Sequence, residues 1–243
     1  MPRHKIKATY EELKAQEAEF RTAHPGFQHH SVPIDMSAHR VLGVWYELLE
    51  AQNGRDLDDG VVDQNTPKIV EYGNRFAPVE QYPRMLVLGA GCGREVAIAR
   101  EAGWQVQGVT FGPMNVAFGK YAFDVDLTFA DMHALPFAGE AFDVIEALQT
   151  FEHSFAPLHL VIECNRLLRP GGKIVIETPP SKLWTMGANR HHVTCPTARQ
   201  LEGWLLKGGF TAIDLHQRGV GPITEAEMDR GDLTGDLVAC ASR

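Results

Sequence analysis

From residue 84 to residue 241, short apolar runs alternate with amphipathic helical stretches, and few folds accommodate that order. Strands are expected at 85–88, 105–110, 127–130, 142–147, 173–178, 211–216 and 237–241. Helices are expected at 95–102, 113–121, 157–168 and 197–207, the third closed by Pro170-Gly171-Gly172 and the fourth by Gly208-Gly209. Strands separated by helices imply a parallel sheet covered on both faces. The last two strands have no helix between them, and a parallel crossover needs one, so the final strand is expected to run antiparallel. The expected fold is therefore α/β: a Rossmann-like, doubly wound, seven-stranded, mostly parallel sheet with an antiparallel last strand.

The first eighty residues differ in texture. Helical stretches are expected at 9–20, with Thr9 and Glu12 as a capping pair, and at 37–52, with Val41, Val44, Trp45, Leu48 and Leu49 at helical spacing. A third should start near Thr66-Pro67, with proline at the first helical position, and end around Arg75. The division expected is an N-terminal helical extension or cap, 1–80, followed by a core, 81–243.

The strongest local signal is Leu86-Val87-Leu88-Gly89-Ala90-Gly91-Cys92-Gly93-Arg94-Glu95. Glycines alternate where an apolar strand turns into a helix, which lets a ligand approach the backbone and meet helix N–H groups. The spacing is GxGxG rather than the GxGxxG usual for dinucleotides. Further along come Asp131-Met132-His133-Ala134-Leu135-Pro136-Phe137, Ala141-Phe142-Asp143-Val144-Ile145 and Leu167-Leu168-Arg169-Pro170-Gly171-Gly172-Lys173.

With these motifs in order, the segment 84–178 resembles the class I S-adenosylmethionine-dependent methyltransferases, especially those acting on small molecules; 179–243 resembles them loosely, and 1–80 is not covered. The resemblance implies S-adenosyl-L-methionine as cofactor. It places Gly89, Ala90, Gly91 and Gly93 beneath the amino-acid tail and ribose, Asp131 on the adenine amino group, and Met132 against the adenine ring. The competing reading of Asp131 is a cap for the loop after its strand. Where the family usually carries an acid at the end of the second strand, this chain has Thr110, a weaker acceptor than a carboxylate. That exchange resembles the cyclopropane-fatty-acid synthase branch, where a nearby amide helps hold the ribose; Asn115 stands at that place. The missing acid also argues against NAD.

The resemblance sets Leu148 and the residues after it, Gln149-Thr150-Phe151-Glu152-His153, under the transferable methyl group and along the acceptor pocket. His153 is the candidate general base, since imidazole titrates near neutrality; a structural role for the Glu152-His153 pair is the alternative. The stretch 181–196, with Trp184, Met186, Asn189, Arg190, His191, His192 and Cys195, either covers the acceptor or lies on the surface. A metal site from His191, His192 and Cys195 is weighed and set aside, because adjacent histidines point apart on an extended chain, and no metal is expected. Trp45, Tyr46, Gln64, Asn65 and Lys68 are candidates to close over the ligands.

Composition narrows the partners. A net charge of −8 repels phosphate backbones on average, so a small-molecule acceptor is expected and a nucleic acid is not. Cys92, Cys164, Cys195 and Cys240 form no CxxC pair, and no apolar run reaches membrane-span length; a cytoplasmic location is expected. The expected activity is methyl transfer to a small molecule. Its competitor is a non-catalytic or partner-dependent cofactor-binding subunit.

Overall fold

The computed structural model describes residues 10–23, 61–181, 192–230 and 233–243. The expected helix at 37–52, with Trp45 and Tyr46, lies outside these residues, as do Thr9, Trp184, Met186, Asn189, Arg190, His191 and the side chains of Gln64 and Asn65.

The described chain runs α1 (Tyr10–Ala23), α2 (Val61–Phe76), β1 (Arg84–Leu88), α3 (Arg94–Glu101), β2 (Gln105–Thr110), α4 (Pro113–Phe123), β3 (Leu127–Phe129) and β4 (Phe142–Leu148). A 3-10 turn (Phe151–His153) leads to α5 (Pro157–Leu167), β5 (Leu168–Thr178), α6 (Ala198–Lys207), β6 (Thr211–Gln217), β7 (Gly221–Pro222) and β8 (Leu237–Ser242). One sheet orders these strands β3-β2-β1-β4-β5-β8-β6-β7. The pairs β2–β3, β1–β2, β1–β4 and β4–β5 are parallel, and β8 runs antiparallel between β5 and β6. The seven expected strands are all present, and a two-residue strand, β7, adds an eighth at the β6 edge.

The sheet is buried on both faces, which is why its strands read as unbroken apolar runs rather than alternating ones. All seven residues of β4 are buried. One face carries Met85, Val87, Val144 and Val175 against α1, α2, α3 and α4; the other carries Leu86, Leu88, Ile145 and Ile176 against α5 and α6. Phe20 of α1 packs its ring edge-on to Phe118 of α4 at 6.0 Å.

Two local expectations need correction. Pro67 does not begin its helix: α2 starts at Val61, so the proline sits inside, where its missing N–H removes one rung of the helical ladder. Pro170-Gly171-Gly172 does not merely stop α5. It belongs to the extended start of β5, because the chain's last residue pairs with it: Gly171 N–H donates to the Arg243 carbonyl (3.1 Å) and Arg243 N–H to the Gly172 carbonyl (3.0 Å). Gly172 has no room for a side chain, since a Cβ there would lie 2.9 Å from the Arg169 carbonyl oxygen. α6 follows expectation, with Thr197 and Gln200 forming a reciprocal capping box. No helix among the described residues is long and apolar enough to cross a membrane.

Candidate active site

Five parallel strands, β3, β2, β1, β4 and β5, present their carboxyl termini along one edge, the place where open α/β sheets bind ligands. β1 delivers the glycine turn there. Gly89, Gly91 and Gly93 have φ of +67°, +46° and +85°, in the left-handed region that favours glycine. Ala90 N–H donates to the Val109 carbonyl of β2 (2.8 Å) and Gly93 N–H to the Ala90 carbonyl (2.7 Å), closing the turn over the neighbouring strand.

The glycines are not equivalent. A Cβ on Gly89 would meet Thr150 Oγ1 at 2.1 Å, and one on Gly93 would meet Val125 Cγ2 at 2.5 Å, so these two are required by packing. A Cβ on Gly91 would meet nothing within 4 Å among the described residues. Gly91 therefore borders open space, and this is the observation by which the turn fits a bound cofactor.

Thr110 at the end of β2 and Asn115 in the first turn of α4 are both buried, and the Asn115 amide nitrogen lies 3.5 Å from Thr110 Oγ1. The structure thus brings together the hydroxyl and the amide that the resemblance assigns to one ligand group. At the end of β3, Asp131 Oδ1 accepts from His133 N–H (2.8 Å) and from His133 Nδ1 (2.7 Å). With Nδ1 donating, His133 Nε2 accepts from the Ser154 hydroxyl at 2.8 Å. The capping reading of Asp131 is thus realised through His133, and a carboxylate has acceptor sites beyond the two used on Oδ1. Met132 is half-buried against the apolar cluster under α5.

β4 ends in Leu148, buried, followed by Gln149 at φ +50°. A left-handed conformation is strained for a residue with a side chain and needs support from its surroundings. Gln149 N–H donates to the Glu177 carbonyl (2.8 Å), and its amide donates to Glu177 Oε1 (3.0 Å) and Asp236 Oδ2 (3.1 Å). Glu177 is fully buried at the end of β5 and pairs with Lys68 Nζ at 2.5 Å and with the Tyr72 hydroxyl, both from α2. Burial works to raise the Glu177 carboxyl, but Lys68, Tyr72 and Gln149 outweigh it and hold its pKa below the ordinary value. Lys68, expected to close over the ligands, is here a buried ion-pair partner.

His153 is half-buried in the 3-10 turn after β4, with the His192 ring edge-on at 5.1 Å. Glu152 is buried, and burial pushes its pKa up to about 8. The turn is stitched to the segment beyond residue 191: Val193 and Thr194 N–H both donate to the Glu152 carbonyl, and Thr194 Oγ1 donates to the Ser154 carbonyl at 2.6 Å. Cys195 is half-buried, and burial raises its thiol pKa to about 12.

Sequence reasoning missed His133, Ser154, Tyr72, Glu177 and Asp236. The Asp131-x-His133 spacing was a readable signal for a side chain bonding its own turn. The Glu177 network joins residues more than a hundred positions apart and has no local signature.

The fold and glycine turn define a Rossmann-like sheet of the kind that holds a nucleoside-bearing cofactor at its carboxyl edge. Residues 86–176 match the family model described as a methyltransferase domain. A probable S-adenosylmethionine-dependent methyltransferase of Mycolicibacterium smegmatis is 28% identical over 163 residues, covering 59% of this chain and 63% of the relative. The 27-O-demethylrifamycin SV methyltransferase of Amycolatopsis mediterranei is 27% identical over 145 residues, covering 54% of this chain and 53% of the relative. A solved S-adenosylmethionine-dependent methyltransferase from Archaeoglobus fulgidus superposes with a TM-score of 0.60 at 17% identity, covering 74% of this chain and 94% of that one, and shares the fold. The chain spans less than two thirds of the length of the two curated relatives. Residues 86–176 thus match a methyltransferase domain, and the relatives that this stretch resembles are S-adenosylmethionine-dependent methyltransferases, which points to S-adenosyl-L-methionine as the cofactor.

Proposed function

We propose that this protein methylates a small-molecule acceptor, the methyl group passing by in-line displacement from S-adenosylmethionine held at the carboxyl edge of the sheet. The open space beside Gly91, at the same edge as Thr110, Asn115 and Asp131, carries the reading. Bound there, the cofactor supplies a methyl group already activated by a sulfonium charge.

In this reading Gly89, Ala90, Gly91 and Gly93 offer backbone to the tail and ribose. Thr110 and Asn115 bond the ribose hydroxyls as an acceptor–donor pair, in the manner of the cyclopropane-fatty-acid synthase branch. Asp131 accepts from the adenine amino group while His133 and Ser154 hold it in place, and Met132 covers the ring. Leu148 lies against the methyl end. His153, on a turn anchored at both ends, takes the acceptor's proton, and the rest of the rate comes from holding the reactants together and excluding water. Residues 1–80 act as a cap on the core of 81–243. A small organic acceptor is supported by the net charge of −8 and by the substrate named for the rifamycin enzyme. A reducing, cytoplasmic setting belongs to the same reading.

The test is a methyl-transfer assay with methyl-labelled cofactor across phenols, carboxylates, amines and a transfer-RNA pool. Label transfer to one small-molecule class supports the reading. Transfer to RNA alone, or cofactor binding without turnover on any acceptor, overturns it; the second outcome points to a binding subunit.

A further inference from the structure

The chemistry beside the candidate acceptor wall is richer than one base requires. Glu152, His153 and His192 each turn one ligand atom into a common space, all within 4.8 Å of one another. Glu152 Oε1 and His192 Nε2 are 3.9 Å apart. Ligands at about 2.0–2.2 Å around a tetrahedral zinc ion lie roughly 3.4 Å from one another, so modest side-chain rotation closes the set.

The support is built into the fold. Glu152 is 1% exposed, and Thr178 Oγ1 donates to its Oε2 at 3.3 Å, leaving Oε1 on the His192 side. A hydroxyl bonded to the far oxygen of a ligating carboxylate is the outer-shell arrangement that orients metal ligands. The bonds from Val193 and Thr194 N–H to the Glu152 carbonyl hold the backbone next to His192 against the turn that carries Glu152 and His153. Two imidazoles and one carboxylate, converging from two chain segments with the carboxylate buried and the histidines half-buried, are a donor set for a divalent transition ion of the zinc class rather than for calcium or magnesium. Glu177 and Asp236 add negative charge nearby, both acting electrostatically on Glu152.

We propose that Glu152, His153 and His192 form a three-ligand site for a divalent transition-metal ion, zinc being the reference, at the acceptor end of the pocket. Three protein ligands leave a coordination position for an oxygen of the acceptor. An acceptor hydroxyl bound there loses its proton more readily, the proton leaving to solvent and the oxygen keeping the electron pair that then attacks the methyl carbon. With the ion bound, His153 is a ligand and no longer the base. The role in turnover rests on the methyltransferase reading, whereas the binding site itself does not.

The full chain, stripped with a chelator, is titrated calorimetrically with zinc chloride. One ion per chain is expected, with affinity falling at least tenfold in His153→Ala and in His192→Ala, and unchanged in His216→Ala, whose side chain pairs with Asp214. Circular dichroism and thermal melting without metal report whether each variant is folded, and the glutamine variant at the same position, His153→Gln or His192→Gln, replaces an alanine variant that is not. No zinc binding, or equal binding by wild type and both ligand variants, overturns the proposal. Failure of S-adenosylhomocysteine to bind folded wild-type protein sinks the cofactor assignment instead, and leaves the zinc result to be read separately.

Discussion

Replacing Gly91 with valine separates the cost of a side chain to the protein from its cost to the ligand. At φ +46° a side chain is strained, at about 1–2 kcal/mol. The added Cβ itself meets nothing within 4 Å among the described residues, so packing at that atom adds no penalty. For a chain of this size that strain lowers Tm by roughly 2–8 °C, so the variant stays folded at 25 °C. The ligand bears the larger effect: a branched side chain beside the turn keeps it from the backbone donors, and losing two hydrogen bonds at about 1 kcal/mol each weakens binding by at least tenfold. Overlap of the branched methyl groups with the ligand adds to this. Scanning fluorimetry gives the first quantity and calorimetric titration with S-adenosylhomocysteine the second. Gly89→Ala is the contrast: its Cβ would lie 2.1 Å from Thr150 Oγ1, so it should lose more stability than Gly91→Val. A folded Gly91→Val protein that binds like wild type refutes the assigned slot.

Further outcomes follow from the buried charges. Lys68→Met leaves Glu177 ionised and without its cation, which should cost about 3–5 kcal/mol by denaturant titration, while Tyr72→Phe should cost about 1–3 kcal/mol. Asp143 accepts from Arg84 and Arg169; burial works to raise its pKa, but the two guanidiniums win and bring it to about 2 from an ordinary 3.8. Its contribution is thus complete above pH 3.8 and is lost as pH falls through about 2, and Asp143→Asn should flatten that acid limb in pH-dependent melts. Glu146, fully buried in β4 with neither carboxyl oxygen hydrogen-bonded among the described residues, has its pKa raised by burial. Stability from this group is greatest below pH 4.5, its ordinary value, and declines as pH rises, so Glu146→Leu should raise Tm at pH 8 more than at pH 4.

Much of the core was legible because each strand there is an apolar run bounded by turn residues. β2 runs Gln105–Thr110, as the pattern predicts, and β1, α4 and α6 differ from expectation by one or two residues at an end. The missing crossover helix before residue 237 correctly implied the antiparallel β8. The placement of the glycine turn, of Thr110 beside Asn115, and of Asp131 along one sheet edge was readable, since each lies at or just after a strand end. Contacts made by tertiary closure were not. His133 bonds Asp131 through one ring nitrogen and Ser154 through the other, and Val193 and Thr194, just after His192, reach the Glu152 carbonyl from about forty residues away. From the sequence, a metal set of His191, His192 and Cys195, all near one another in the chain, was weighed and set aside. The convergent set takes one of these and two residues from the turn after β4. Pro67 misled for a different reason, since tertiary packing of α2 on the sheet carries the helix past a residue whose own preference is to begin one.

The most direct measurement is a crystal structure of the protein soaked with S-adenosylhomocysteine. Adenine beside Asp131 and Met132, ribose between Thr110 and Asn115, and the tail along Gly89–Gly93 is the predicted result. A cofactor bound elsewhere on the molecule, or side chains from residues 182–191 filling the space beside Gly91 in its presence, contradicts the account.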